Sequence, residues 1–438
     1  MRTTEEFLVG GTVEQLDDLI RDEIVRDGPM TFARFMALAL YHPVLGYYSG
    51  GGEAREPLGW EGDYFTSGDV HPLWGWAIAR QLHQMWELLG QPERFDVIEP
   101  GAGRGLLARE VWRYGREHAP EWAAALRYTR VDRASPLAPL RLAREKRLTA
   151  ALAPLAVPPG GVRWVTDMHE IVPGALTGCV VSNELVDALP VHIVEKHGEA
   201  LREVYVGVDT RSGRLVEVLD TPSSVAVATY LDDYHIPWRG YADGWRAELR
   251  LAADPWLRDA TAPLARGFVL TVDYGDIARL LYTRDRRAGT LAAYTRHQRA
   301  ERPLARPGQQ DLTAHVNFTA LIESGRALGL RHIGLTSQAA FLRGLGIQHT
   351  AERLAARLYP AASTERHTDR GQADYLRQRT LLGAVATLLN PHGLGGFRVL
   401  LQHRGAPGTG RKLLGFGGDT DHHTGSDGRA PTRAEHNT

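Results

Sequence analysis

The sequence predicts an α/β protein: a largely parallel sheet, preceded by a helical cap and interrupted by a β-meander after its fourth strand. Three features lead there. From Asp96 onward, short apolar runs alternate with stretches of helical period, the pattern of a parallel sheet with helical crossovers. A turn with three glycines, "EPGAGRG", directly follows the first of these runs. Residues 190–220 break the alternation with three strand-like pieces separated by "HGEA" and "TRSGR".

Residues 13–42 read as two helices separated by "DGPMT", with Pro29 suited to a helix start and Thr31 to bonding nearby backbone N–H groups. The glycine- and aromatic-rich stretch "YHPVLGYYSGGGEAREPLGWEGDYFTSG" has no helical period and reads as a loop. From Val70 to Leu89 the period is helical again. The sheet then takes "DVIEP", "LRYTRVD", "VRWVTD", "GCVVSNE" and "GFVLTVDYG" as successive strands. "LRHIGLTSQ" and "GGFRVLLQHRG" complete it, the last strand antiparallel. From Gly405 onward Gly, Asp, Thr and His dominate, the composition of a mostly disordered tail. The expected division is a cap and substrate-mouth loop (1–90), a first part of the core (91–189), the meander (190–255), the rest of the core (256–404) and the tail (405–438).

Bulk properties remove several function classes. A chain of 438 residues with 43% hydrophobic content can bury a large core. A formal net charge of -1 argues against a broad electrostatic hold on nucleic acid or on an anionic membrane. No run of about 18 apolar residues offers a transmembrane helix. The single cysteine, Cys179, makes an internal disulfide impossible and fits a reducing compartment. With no secretory signal in "MRTTEEFLVGG", the expected location is the cytoplasm.

The glycine turn decides the cofactor expectation. Gly101, Gly103 and Gly105 form GxGxG, whereas the dinucleotide fingerprint GxGxxG would need glycine where Leu106 stands. The phosphate loop of nucleotide hydrolases needs a Gly-Lys-Ser/Thr ending that is absent here. S-adenosylmethionine (SAM) carries no phosphate and asks only that backbone pass close to it, which glycines at 101 and 103 allow. Glu99, at the end of the first strand, is placed toward the ligand's ammonium group. Asp132, at the end of the second, suits the ribose hydroxyls. Asp167 and Met168, after the third, suit the adenine amino group and ring face.

Chemistry is expected in "VVSNELVDALPVH", after the fourth strand. Asn183 can bond backbone or cofactor. Glu184 and Asp187, three residues apart, would share one face of a helical turn and hold a guanidinium bidentately. A carboxylate there can also take up the proton lost on alkylation. The competing reading makes Asp187 the cap of the following turn and Glu184 an ordinary solvated acid. Asp273 and Tyr274, and Asp311, Thr313 and His315, are weaker candidates. His422 and His423 lack the further ligands a metal needs, and no metal is expected.

Jointly, "GPMTFARFMALALYHPVLGYYS", "GDYFTS", "EPGAGRG", "NELVDALPV", "TVDYG", "GTLAAYTRH", "DLTAHVNF" and "FLRGLGI" resemble, in the same order, the MidA-like family of SAM-dependent methyltransferases. The resemblance spans roughly residues 20–405. It implies a class I, Rossmann-like methyltransferase sheet, with Gly101, Gly103, Arg104 and Gly105 in the SAM loop and Asn183, Glu184 and Asp187 in an acidic motif. The family's mitochondrial member, a complex I assembly factor, methylates an arginine of a complex I subunit. The pattern departs at Ala102, where the family commonly has proline, and at Ser67-Gly68-Asp69, where it typically has Ser-Pro-Glu. Asp132 is also followed less closely by Ser-Pro. The expectation is therefore a SAM-dependent methyltransferase acting on an arginine nitrogen of a protein or peptide. The alternatives are a small-molecule or peptide acceptor of specialised metabolism, or a SAM-binding assembly chaperone without turnover. A homodimer is compatible with the sequence.

Overall fold

Seven strands carry the molecule: β1 (Phe95–Pro100), β2 (Leu126–Val131), β3 (Val162–Val165), β4 (Leu176–Asn183), β5 (Leu264–Asp273), β6 (Arg331–Ser337) and β7 (Arg398–Arg404). The computed structural model describes residues 13–49, 59, 66–132, 139–296, 298–406 and 413–417. The sheet order is β6-β7-β5-β4-β1-β2-β3. β1 to β5 are parallel, and β7 runs antiparallel to both β5 and β6. Every residue of the interior strand β1 is buried. The class I arrangement expected from the alternating pattern is the one observed.

Helices Pro72–Leu88 and Leu106–His118 cover one face of this sheet. Pro72 opens the first of them, and the His71 ring accepts the Leu73 N–H at 3.1 Å as its cap. The two helices meet closely at Gly75, where a Cβ would lie 2.6 Å from the Cβ of Glu110.

The inserted segment forms the expected meander, with strands His192–His197, Ala200–Val208 and Leu215–Asp220. It does not stand alone. Arg246–Leu249 pairs with its first strand, and the two residues Met30–Thr31 pair with its second. Thr31 then caps helix Phe32–Tyr41, its hydroxyl accepting the Arg34 N–H at 3.2 Å. The buried faces of that helix and of helix Val13–Asp27 (Leu16, Ile20, Phe32, Phe35, Met36) pack on Val204 and Val206. The expected cap, residues 13–89, is thus split. Its first two helices join the meander in one body, while helix Pro72–Leu88 belongs to the main sheet.

The expected tail from residue 405 is also partly ordered. Residues 407–412 and 418–438 lie outside the described residues, but Leu413–Gly417 between them is seated on the core. Leu413 is buried, Phe416 packs on Phe341 at 5.6 Å between ring centroids, and the Gly415 N–H donates to Gln81 Oε1. Three apolar side chains in "LLGF" suffice to hold it. Among the described residues no helix is long and apolar enough to cross a membrane.

Replacing Phe416 with Ala should destabilise the protein by about 3 kcal/mol, the cost of truncating a packed aromatic. Scanning calorimetry measures this. An unchanged melting temperature would show that the segment is not part of the core.

Candidate active site

The carboxyl ends of β1 to β4 open onto one cleft of about 430 Å³. Glu99, Gly101, Gly103, Arg104, Asp132, Asp167, Met168, Asn183 and Glu184 all line it; Gly105 and Asp187 do not. The glycine loop leaves β1 with Gly101, Gly103 and Gly105 all at positive φ (68°, 47° and 72°). A Cβ on Gly101 would come within 2.7 Å of Leu185 Cδ1. Gly105 serves a different purpose from the one expected. It opens helix Leu106–His118, and a Cβ there would meet Leu148 at 2.8 Å and Arg130 Nε at 3.0 Å. Its want of a side chain therefore answers to packing beneath the loop. Arg130, fully buried, donates to the Gly103 carbonyl at 2.8 Å and so holds the loop from below.

The strand-end acids differ in environment. Glu99 is 6% exposed and accepts the Tyr128 hydroxyl at 2.8 Å. Burial pushes its carboxyl up to about 7, against the opposing pull of Tyr128 and Arg130. Asp132 faces the buried guanidinium of Arg144 at 3.4 Å. Asp167 accepts the His169 N–H at 2.9 Å and so caps the short turn Met168–Glu170. Met168 packs in an apolar cluster with Ile98, Val131 and Trp256. Trp256 and Asp259, from helix Ala253–Thr261, line the same end of the cleft, and no motif in the sequence marked them.

This donor set fits SAM. The glycine backbone can be approached closely, the acids suit an ammonium and vicinal hydroxyls, and the thioether and indole suit an adenine face. A phosphate-bearing dinucleotide is poorly served: Arg104 is paired with Asp69, and Arg144 with Asp132.

The acceptor side is built on the turn after β4. Glu184 sits at φ 48°, its N–H donating to the Val272 carbonyl at 2.8 Å. Its Oε1 accepts the Ser67 N–H at 2.8 Å and the Asn183 side-chain amide at 3.0 Å. Surrounding protein, with a contribution from Asp187, pushes its carboxyl up to about 7. The shared helical face expected for Glu184 and Asp187 does not form. The left-handed backbone at Glu184 keeps it out of the short helical turn, which spans only Val186–Ala188.

Asp187 is 5% exposed, does not line the cleft, and sits within the field of Arg250. Nor is it the cap of the turn. That role falls to Asp273, fully buried, whose Oδ2 accepts the N–H groups of Leu185, Val186 and Asp187 at 3.2, 2.8 and 3.2 Å. Its Oδ1 accepts the Tyr274 N–H at 2.8 Å. Burial pushes both aspartates up, and the neighbouring Asp187 adds to the rise at Asp273.

Ser67–Val70 is a single helical turn that ties both halves of the site together. Asp69 pairs with Arg104 of the glycine loop and holds the Thr66 N–H at 2.9 Å. Ser67 reaches Glu184 through its backbone, while its hydroxyl and the Trp74 indole meet at Gln338 Oε1. Asp69, shorter than the glutamate typical of the family pattern, still makes the bond to the loop.

Residues 77–336 match the family described as "putative S-adenosyl-L-methionine-dependent methyltransferase", more than half of the chain. The protein belongs to this family and is a SAM-dependent methyltransferase. Curated relatives include "Protein arginine methyltransferase NDUFAF7, mitochondrial" of mouse, 26% identical over 87% of this chain and 83% of that protein. The human protein of the same name is 25% identical over 87% and 82%. A Burkholderia thailandensis protein crystallised with S-adenosyl-homocysteine superposes with a TM-score of 0.79 at 29% identity, covering 97% of this methyltransferase and 99% of that chain. The expectation of a cytoplasmic enzyme is corrected by the curated relatives, which are named mitochondrial. A single buried cysteine fits a reducing compartment, and that is not a property of the cytoplasm alone.

Gly101→Val should weaken S-adenosyl-homocysteine binding at least tenfold in isothermal titration. It forces a β-branched residue to φ 68° at a cost of about 1–2 kcal/mol and drives it into Leu185. Unchanged affinity would remove the loop from the cofactor site.

Proposed function

We propose that this methyltransferase acts on a guanidinium nitrogen of an arginine in a protein or peptide. The observation that carries the reading is the carboxylate of Glu184, fixed by Ser67 and Asn183 in the same cleft as the glycine loop. With Glu99, Asp132 and Asp167 turned to the cofactor, Glu184 is the acid left for the acceptor, and an anionic side chain there suits a cation. The mouse and human relatives named as arginine methyltransferases support the same acceptor.

SAM supplies the electrophilic methyl group. Glu184 accepts a guanidinium N–H, aims one nitrogen at the methyl carbon, and receives the proton released as the N–C bond forms and the S–C bond breaks. Its raised proton affinity suits it to that second task. Asp187 does not touch the acceptor in this reading. Its charge, from behind the turn, helps to raise Glu184. Asn183 and Ser67 limit the swing of the carboxylate.

Incubating the protein with methyl-labelled SAM and an arginine-rich peptide mixture, then hydrolysing to amino acids, should yield methylarginine. Label on lysine or on small molecules alone would overturn the assignment. Glu184→Gln should lower kcat by about a hundredfold or more. Because the anionic form is required, kcat/KM for the acceptor should fall as pH drops below about 7. Glu99 titrates in the same range, so SAM affinity is followed separately across pH. The acceptor limb should vanish in Glu184→Gln while the SAM limb remains.

A further inference from the structure

We propose that Tyr41 and Tyr48 form an aromatic floor that selects a planar guanidinium over an ammonium; this rests on the arginine reading above. Both rings line the cleft that contains Glu184, and both are partly exposed, whereas neighbouring Tyr47 is 3% exposed. Their hydroxyls are engaged with protein. Tyr41 donates to the Ala188 carbonyl at 3.0 Å, and Tyr48 to Asp311 Oδ1 at 2.8 Å. Ala188 ends the short helical turn that follows Glu184, so the first ring is fastened four residues along the chain from the carboxylate. Asp311 is a buried acid on strand Asp311–Thr313, so the second ring is fastened to a fixed point of the core.

The ring centroids are 5.5 Å apart and the planes 31° from parallel. A guanidinium sandwiched between two rings needs about 7 Å, twice a van der Waals contact. The acceptor therefore lies across the tilted faces, not between them, with its edge toward Glu184. Ala37, Leu189 and Pro190 make the surrounding wall apolar. A flat, weakly hydrated guanidinium gains from such a surface, while a compact, strongly hydrated ammonium loses its water and recovers less.

The test uses the full-length protein saturated with S-adenosyl-homocysteine, titrated with Nα-acetyl-arginine amide and Nα-acetyl-lysine amide and followed by NMR. The unsubstituted protein should prefer the arginine probe by about tenfold. Tyr48→Leu and Tyr41→Leu should each shrink that preference to about threefold or less with S-adenosyl-homocysteine affinity unchanged. Tyr48→Phe, which keeps the ring face, should retain most of it. Full preference in both leucine variants would overturn the aromatic floor while leaving the arginine reading intact. Absence of preference in the unsubstituted protein would overturn both. Should one leucine variant lose S-adenosyl-homocysteine binding, the other decides.

Discussion

The turn that follows β4 holds together because one buried carboxylate satisfies its backbone. Three consecutive N–H groups, from Leu185 to Asp187, converge on Asp273 Oδ2 at the end of the neighbouring strand β5. Without that acceptor the three donors would be left unpaired in a dry environment, at about 1–3 kcal/mol each. With it, the chain can leave β4, place Glu184 in a left-handed conformation, and turn back before the meander begins. The parallel register of β4 and β5 sets the distance across which this works, since Val272 lies opposite Asn183. The position of the acidic side chain in the cleft is in this sense a property of the sheet.

Cofactor loop and acceptor carboxylate are not independent constructions. The helical turn Ser67–Val70 touches both, through Asp69 to Arg104 and through the Ser67 N–H to Glu184. Gln338, fully buried after β6, sets that turn by bonding Ser67 and receiving the Trp74 indole. A disturbance of the glycine loop therefore has a short covalent and hydrogen-bonded route to the carboxylate, and the reverse also holds.

The seven strands and the meander were legible because each writes its own local pattern: an apolar run, a turn residue, a change of period. The glycine loop was legible because its backbone conformation demands glycine. What escaped depends on contacts distant in sequence. Gln338 and Ser67 are 271 residues apart, and neither stands in a motif that advertises the other. Trp256 and Asp259 reach the cleft from an element whose pattern speaks only of helix, and the motif that holds Tyr41 and Tyr48 does not single them out. The pairing of Glu184 with Asp187 failed for a local reason. A spacing of three implies a shared face only where the backbone is helical, and at Glu184 it is not. In the C-terminal segment, overall polarity concealed the apolar "LLGF" that docks.

The pairing of Met30 with Val206 bears on how the chain is made. A ribosome adding about 5–20 residues per second needs on the order of 10 to 30 s to travel from one to the other. Through that interval the first two helices exist without the sheet that will cover Leu16, Phe32, Phe35 and Met36. Synthesis thus begins with an adhesive surface whose partner has not been translated. The early nascent chain must therefore be shielded, or held loosely collapsed, until the meander emerges to claim it.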